Sequence, residues 1–215
     1  DLIKGCLQET YNQAQRFPVS GTFNASELYD GMLNLYHNGL PKTIYPKNDC
    51  FGNMKDIFSI MRGQLTVGTG VPSHGKSNFT DYYVLNLLAE NDFKGSWFSP
   101  EHTPMELYHT NLAEKVIGKN YWNDKGGVKR MSEEETLQYN KWANEKIYLT
   151  ACEDTELPTW DWLLDKFKEQ MYSFGIDIFV IDAFNKVLLP KGNKIEQINI
   201  VLTKLTHFAQ VNNVM

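Results

Sequence analysis

The sequence predicts an α/β fold with a mainly parallel central sheet flanked by helices, preceded by a short helical extension. From residue 64 onward, short apolar segments alternate with amphipathic segments of helical period, the pattern of βαβ units. One segment, Ile178–Ile181, is apolar without interruption, as is typical of a strand buried on both faces of a parallel sheet. We therefore expect residues 1–60 to form a helical extension and connector, and residues 61–215 to form the α/β core.

Each element has a local signal. The first helix begins after Asn24 and continues at helical spacing through Leu28, Met32 and Leu35 until Gly39. The connector, 41–56, contains two prolines and a glycine. Ser132 and Glu135 form a capping box that opens a later helix. In the core we expect strands at 64–70, 96–99, 146–151 and 177–182, and helices at 76–90, 104–117, 132–142, 159–172 and 195–211.

Composition bounds the class of protein. With 215 residues, 42% of them hydrophobic, and a net charge of -5, the chain can bury a core and is not a wholly disordered protein. Three widely spaced cysteines provide neither a disulfide framework nor a zinc site. The sequence contains no run long and apolar enough to span a membrane. These features predict a protein of a reducing, intracellular compartment, and the acidic balance argues against a surface that coats nucleic acid.

A phosphate-binding loop is the most specific motif. Residues 70–77 match G-x-x-x-x-G-K-[ST] between a predicted strand and a predicted helix. Such a loop turns backbone N–H groups toward phosphate oxygens at a helix N-terminus, while the lysine reaches the phosphates and the hydroxyl ligates Mg²⁺. We therefore predict that ATP and Mg²⁺ are bound by this loop. Its residues are Gly70, Val71, Pro72, Ser73, His74, Gly75, Lys76 and Ser77.

Two carboxylates are expected at the carboxyl edge of the sheet, where ligands bind in open α/β folds. Asp182 follows the buried strand and is predicted to hold Mg²⁺ together with Ser77. The next residue, Ala183, cannot act as a base, so the water-activating carboxylate is expected elsewhere. Glu101 follows the second strand and is the candidate base. The alternative is that Glu101 caps the helix that begins near Pro104.

These segments resemble the RecA-like P-loop motor of hexameric replicative helicases, in the DnaB-type and Twinkle-like, phage primase-helicase branch. The resemblance rests on three segments and covers roughly residues 20–215: 64–77 (QLTVGTGVPSHGKS), 97–107 (WFSPEHTPMEL) and 176–187 (IDIFVIDAFNKV). It implies a homohexameric ring that hydrolyses ATP, translocates on single-stranded DNA and unwinds duplex. Carried over by position, Lys76 and Glu101 are catalytic, and Asp182 holds the metal.

The same resemblance places the segment after Asp182 near a central channel. Lys186, Lys191 and Lys194 are the candidate contacts to DNA phosphates, although a solvated lysine loop is an equal alternative. In the family, a strand with a γ-phosphate sensor and an arginine finger follow the last helix, whereas the sequence ends at Met215. We therefore expect a core truncated at its C-terminus that binds ATP weakly and is nearly inactive alone. Two other functions remain open: a recombinase-type or clock-type ATPase, and a nucleotide-gated assembly module without unwinding.

Overall fold

A computed structural model of the chain describes residues 3–7, 21–47, 49–152 and 157–215. The chain divides into two units, Asp1–Lys42 and Thr43–Met215. In the first unit, residues 3–7 are helical and helix α1 spans Ala25–Asn38, as predicted. Asn24 caps α1 by accepting from the backbone N–H groups of Ser26 and Glu27, and the Glu27 side chain accepts from the Asn24 N–H. Residues 8–20 of the predicted extension lie outside the described residues, and the boundary after residue 60 stays a prediction.

The second unit contains the predicted alternation of strands and helices. Its connector includes a kinked 3₁₀ segment, Asp49–Asp56, and a short 3₁₀ turn, Phe184–Lys186, follows the last strand. The capping box predicted at Ser132 and Glu135 is present. The elements are α2 (Lys76–Glu90), β1 (Gly95–Phe98), α3 (Met105–Ile117), α4 (Glu133–Lys146), β2 (Ile147–Thr150), α5 (Trp160–Phe174), β3 (Ile178–Ile181) and α6 (Lys194–Asn212).

The sheet of the described residues has three parallel strands in the order β2-β1-β3. Phe98 pairs with Thr150 of β2 and with Ile181 of β3, so the three strands end at one edge. All four residues of the central strand β1 are buried. Because the strands are parallel and in register, the segments that follow them emerge side by side, which is where the predicted site residues lie.

Helices cover both faces of this sheet. Side chains alternate across a strand, so Trp97 packs into a core with α2, α3 and α4, while Phe98 packs into a second core with α5 and α6. A buried polar triad joins α5 to the sheet: the Ser96 hydroxyl lies 2.8 Å from the Gln170 carbonyl oxygen, and the Gln170 amide donates to Thr150 at 2.8 Å. The two-sided packing holds the carboxyl edge of the sheet between rigid layers. No helix among the described residues is long and apolar enough to cross a bilayer.

The prediction of a strand at 64–70 is wrong, since these residues form no strand. The Gly63 N–H donates to the Val214 carbonyl at 2.9 Å. The Met215 N–H in turn donates to the Asp177 carbonyl, and the Met215 carbonyl accepts from the Phe179 N–H, both at 2.8 Å. The last residues of the sequence therefore pair with β3, and Gly63 bonds to these residues instead of β3. A strand needs a hydrogen-bonded neighbour along its length, and among the described residues none pairs with 64–70.

Candidate active site

The phosphate-binding loop has the local conformation that the motif predicts. Gly75 has φ 79° and lies at the N-cap of α2 without a side-chain cap, and Ser73 also has positive φ, 64°. The loop is exposed from Gly70 to Lys76. The first N–H groups of α2 therefore receive no side-chain oxygen from the N-cap and remain suited to an anion. His74 is exposed and forms no hydrogen bond or ion pair within the part of the chain that the structure describes.

Lys76 lies folded over its own loop. Its ammonium group donates to the carbonyl oxygens of Gly70, at 3.0 Å, and Val71, at 2.9 Å. A Cβ at position 70 would lie 3.4 Å from Lys76 Cδ, so the glycine leaves room for the lysine stem. Neutral carbonyls are weaker partners for an ammonium group than phosphate oxygens. The loop thus holds a cation next to the N–H groups at the start of α2, which fits a nucleotide phosphate chain.

The carboxyl edge of the sheet holds Asp182 and Glu101 on adjacent strands. Asp182 follows β3, and its N–H donates to the carbonyl of Phe98, the last residue of β1, at 3.0 Å. Glu101 follows β1 after Ser99 and Pro100. The N-cap of helix α3 is Pro104, which provides no side-chain cap, and the alternative role of Glu101 at the start of this helix stays a prediction. The two carboxylates therefore emerge from neighbouring strands at the edge that the sequence predicts.

Asp81 connects the phosphate loop to this edge. Asp81 lies on α2 four residues after Ser77, so the two residues share a helix face, and Asp81 is 2% exposed. Its carboxylate accepts from Trp97 Nε1 of β1 at 3.1 Å and from the Tyr108 hydroxyl of α3 at 2.8 Å. Lys115 Nζ lies 3.2 Å from the other oxygen. This buried carboxylate fixes α2, and with it Lys76 and Ser77, relative to the strand that carries Glu101.

Tyr108 extends the same network toward the loop of Glu101. Burial raises the pKa of the Tyr108 hydroxyl far above its usual range, and the negative charge of Asp81 is the second cause. The hydroxyl therefore stays a donor at neutral pH. Asp182 is near enough to contribute to that rise. The His102 ring stacks on Tyr108 with centroids 4.5 Å apart, and His102 Nδ1 lies 2.6 Å from the Ser99 hydroxyl. The turn that carries Glu101 is therefore packed against a residue held by α2.

Glu101 itself pairs with Lys186. Lys186 Nζ lies 3.1 Å from Glu101 Oε1, and both side chains are about half exposed. Lys191 and Lys194 are exposed and have no ion pair among the described residues. Lys76 has no described hydrogen bond or ion pair to Glu101 or Asp182. The structure thus joins one predicted DNA contact to the predicted base, while Asp81 links the helix that follows the phosphate loop to β1 and α3.

Asp81 and the Glu101–Lys186 pair are features that the motifs do not predict. A signal for Asp81 exists, because it is the one charged residue among the buried positions of α2 and shares a helix face with Val84, Leu85 and Leu88. The ion pair has no such signal, since it joins two loops that are distant in sequence.

The predicted Mg²⁺ site can be compared with the metal-ligating residues of the structure. The described residues contain no group of three or more His, Cys, Asp or Glu that could hold a metal. A site made of one hydroxyl, one carboxylate and phosphate oxygens contains no such group, so this absence leaves the prediction for Ser77 and Asp182 as it stands.

The chain is similar in sequence to a curated plant protein. It is 31% identical over 209 residues, 95% of its length, to the Twinkle homolog protein, chloroplastic/mitochondrial, of Arabidopsis thaliana. The chain spans 29% of that relative's length. No family model matches the chain.

Two solved structures share the fold at low sequence identity. An ATPase domain superposes with a TM-score of 0.63 at 16% identity and covers 89% of this chain and 69% of the other. A DnaB-like replicative helicase, solved for its interactions with primase, gives 0.61 at 16% identity and covers 100% of this chain and 52% of the other. The fold predicted from the sequence is therefore confirmed as the RecA-like ATPase type. The sequence similarity to a Twinkle homolog and the fold shared with a DnaB-like replicative helicase both agree with the resemblance that the motifs indicate.

Proposed function

We propose that these residues form the ATP-dependent DNA helicase motor of a replicative ring helicase. The observation that carries the proposal is the joining of a phosphate-binding loop, through buried Asp81, to a sheet edge with two carboxylates on adjacent strands. The sequence similarity to a Twinkle homolog supports the helicase assignment over other P-loop proteins.

Each side chain has a role that follows from its position. Lys76 and the N-terminus of α2 bind the phosphates of ATP, and the ammonium group leaves the Gly70 and Val71 carbonyls to do so. Ser77 and Asp182 hold Mg²⁺. Glu101 orients the attacking water and accepts its proton. Bound ATP with Mg²⁺ supplies the phosphoanhydride bond whose hydrolysis drives movement.

The proposed partners are single-stranded DNA and further copies of the same chain in a hexameric ring. Lys186, Lys191 and Lys194 lie in the exposed segment after Asp182 and are the proposed contacts to DNA phosphates. Localisation in the cytoplasm of a bacterium or a phage-infected cell stays a prediction, and the name of the plant relative assigns that protein to organelles.

Strand displacement on a forked duplex tests the proposal. The full-length protein should separate the strands with ATP and Mg²⁺ and should not do so without ATP. Lys76→Ala should lower ATP turnover and unwinding about a hundredfold or more, since it removes a charge aimed at the phosphates. Lys204→Met is the matched control, because Lys204 is an exposed, ion-paired lysine on α6. ATP hydrolysis without strand displacement would favour a recombinase-type or clock-type ATPase, and ATP binding without hydrolysis would favour an assembly module.

A further inference from the structure

The pairing of Glu101 with Lys186 connects the proposed base to the proposed DNA-binding segment. Lys186 Nζ lies 3.1 Å from Glu101 Oε1, and the Lys186 side chain is 46% exposed and that of Glu101 49%. Glu101 follows β1, whereas Lys186 ends the 3₁₀ turn that follows β3. The pair therefore spans the loops of two adjacent strands at the carboxyl edge of the sheet, and both partners are open to solvent.

The turn that carries Lys186 is anchored on both sides. At the start of the turn, the Phe184 ring packs against the Trp160 ring, with ring centroids 4.6 Å apart. After it, Val187 is 3% exposed, and the Leu188 N–H donates to the Pro158 carbonyl at 2.9 Å. The backbone of the turn is thus fixed by α5 and the second core, so the lysine stem is presented to Glu101 from a defined position.

The surroundings of Lys186 favour an anion. Residues 183–195 contain three lysines and no acidic residue. The ammonium group of Lys186 has a carboxylate partner, whereas Lys191 and Lys194 have none among the described residues. A phosphodiester backbone that lies along this segment meets three positive charges, and it competes with Glu101 for the one that is paired.

We propose that Lys186 is a positioning residue that restrains Glu101 until a nucleic-acid phosphate takes over its ammonium group. While the pair is formed, Glu101 Oε1 accepts from Lys186 and the carboxylate is held at the turn, which hinders its use on a water. Phosphate binding at Lys186 frees the carboxylate and so couples DNA binding to hydrolysis. This inference rests on the proposed function and adds to it the residue through which DNA acts.

The test compares ATP turnover of the full-length protein with and without single-stranded DNA. Lys186→Met should raise the DNA-free kcat about two- to fivefold, which is the range expected for loss of one exposed ion pair. The KM for ATP should not change, and the ratio of DNA-stimulated to DNA-free turnover should fall by the same factor. Lys186→Arg keeps the charge and should restore the low DNA-free rate. Lys204→Met is the control, because Lys204 is 44% exposed and paired with Asp161.

A second readout separates restraint from simple DNA binding. Fluorescence anisotropy with labelled single-stranded DNA should show weaker binding for Lys186→Met and a shallower dependence on salt, by about one ion. Weaker DNA binding with an unchanged DNA-free kcat would overturn the inference and leave Lys186 as a phosphate contact only. An equal rise of the DNA-free rate in Lys204→Met would also overturn it. A wild-type protein whose ATP turnover does not respond to DNA would overturn both the inference and the proposed function.

Discussion

Replacement of Asp81 by asparagine tests the link between the phosphate-loop helix and the sheet. Asp81 is 2% exposed. Its carboxylate accepts hydrogen bonds from Trp97 Nε1 and the Tyr108 hydroxyl and forms an ion pair with the Lys115 ammonium group. Asparagine keeps an acceptor for the first two, but each bond becomes neutral and weakens by about 1 kcal/mol. Its amide group cannot accept from Lys115, whose side chain is only 16% exposed and is left without its ion-pair partner. Breaking a buried pair costs about 3–5 kcal/mol when the remaining charge stays buried.

Partial exposure of Lys115 lowers that cost, so we expect Asp81→Asn to reduce the free energy of unfolding by about 3 kcal/mol. Urea denaturation followed by tryptophan fluorescence measures it, because buried Trp97 reports on this network. Lys115→Met is the companion change. The stability lost in the double variant should be smaller than the sum of the losses in the two single variants by at least about 1 kcal/mol. A loss below about 1 kcal/mol for Asp81→Asn, or additive losses in the double variant, would refute the role of this ion pair.

Three further predictions concern packing and pH. Tyr83→Phe should stabilise the chain by about 1 kcal/mol in urea denaturation, because the buried Tyr83 hydroxyl, with its pKa raised by burial to about 12, has no hydrogen-bond partner among the described residues; a destabilised variant would contradict this. Gly95→Ala should destabilise by about 1–3 kcal/mol, because a Cβ there would lie 2.7 Å from the buried Trp97 ring; unchanged stability would show that the ring can move. Burial lowers the pKa of His109, which lies 2.7 Å from the Tyr139 hydroxyl, so the unfolded chain takes up the proton first and stability should fall as pH drops below about 6.5. His109→Gln should remove that part of the pH dependence, and an equal decline in both proteins would assign it to other groups.

Most of the fold is predictable because its signals are local. Helix α4 begins at the predicted capping box of Ser132 and Glu135, and β3 coincides with an uninterrupted apolar run. Both features depend on residues within a few positions of one another. Residues 64–70 are apolar enough for a strand, but strand formation depends on a neighbour, and the backbone beside β3 pairs with Met215. That outcome depends on residues far apart in the sequence.

The candidate site divides in the same way. The loop residues Gly75 and Lys76 follow from a motif whose spacing has a physical cause, and the end of β3 indicates Asp182. The pairing of Glu101 with Lys186 joins residues that are distant in the sequence, and it depends on the order of β1 and β3 in the sheet. A charged residue on an apolar helix face is a visible signal for Asp81, but its partners depend on tertiary packing.

The central claim is tested most directly by the Glu101→Gln variant of the full-length protein. Its ATP binding and its ATP turnover are measured side by side in the presence of single-stranded DNA. The claim is that the phosphate loop binds ATP and that Glu101 activates water. Glutamine keeps the size of the side chain and removes its ability to accept the proton, so kcat should fall about a hundred- to ten-thousandfold while ATP affinity stays within about twofold. Turnover within a few-fold of the wild type would contradict the assignment of Glu101 and favour a different base or a module that does not depend on hydrolysis.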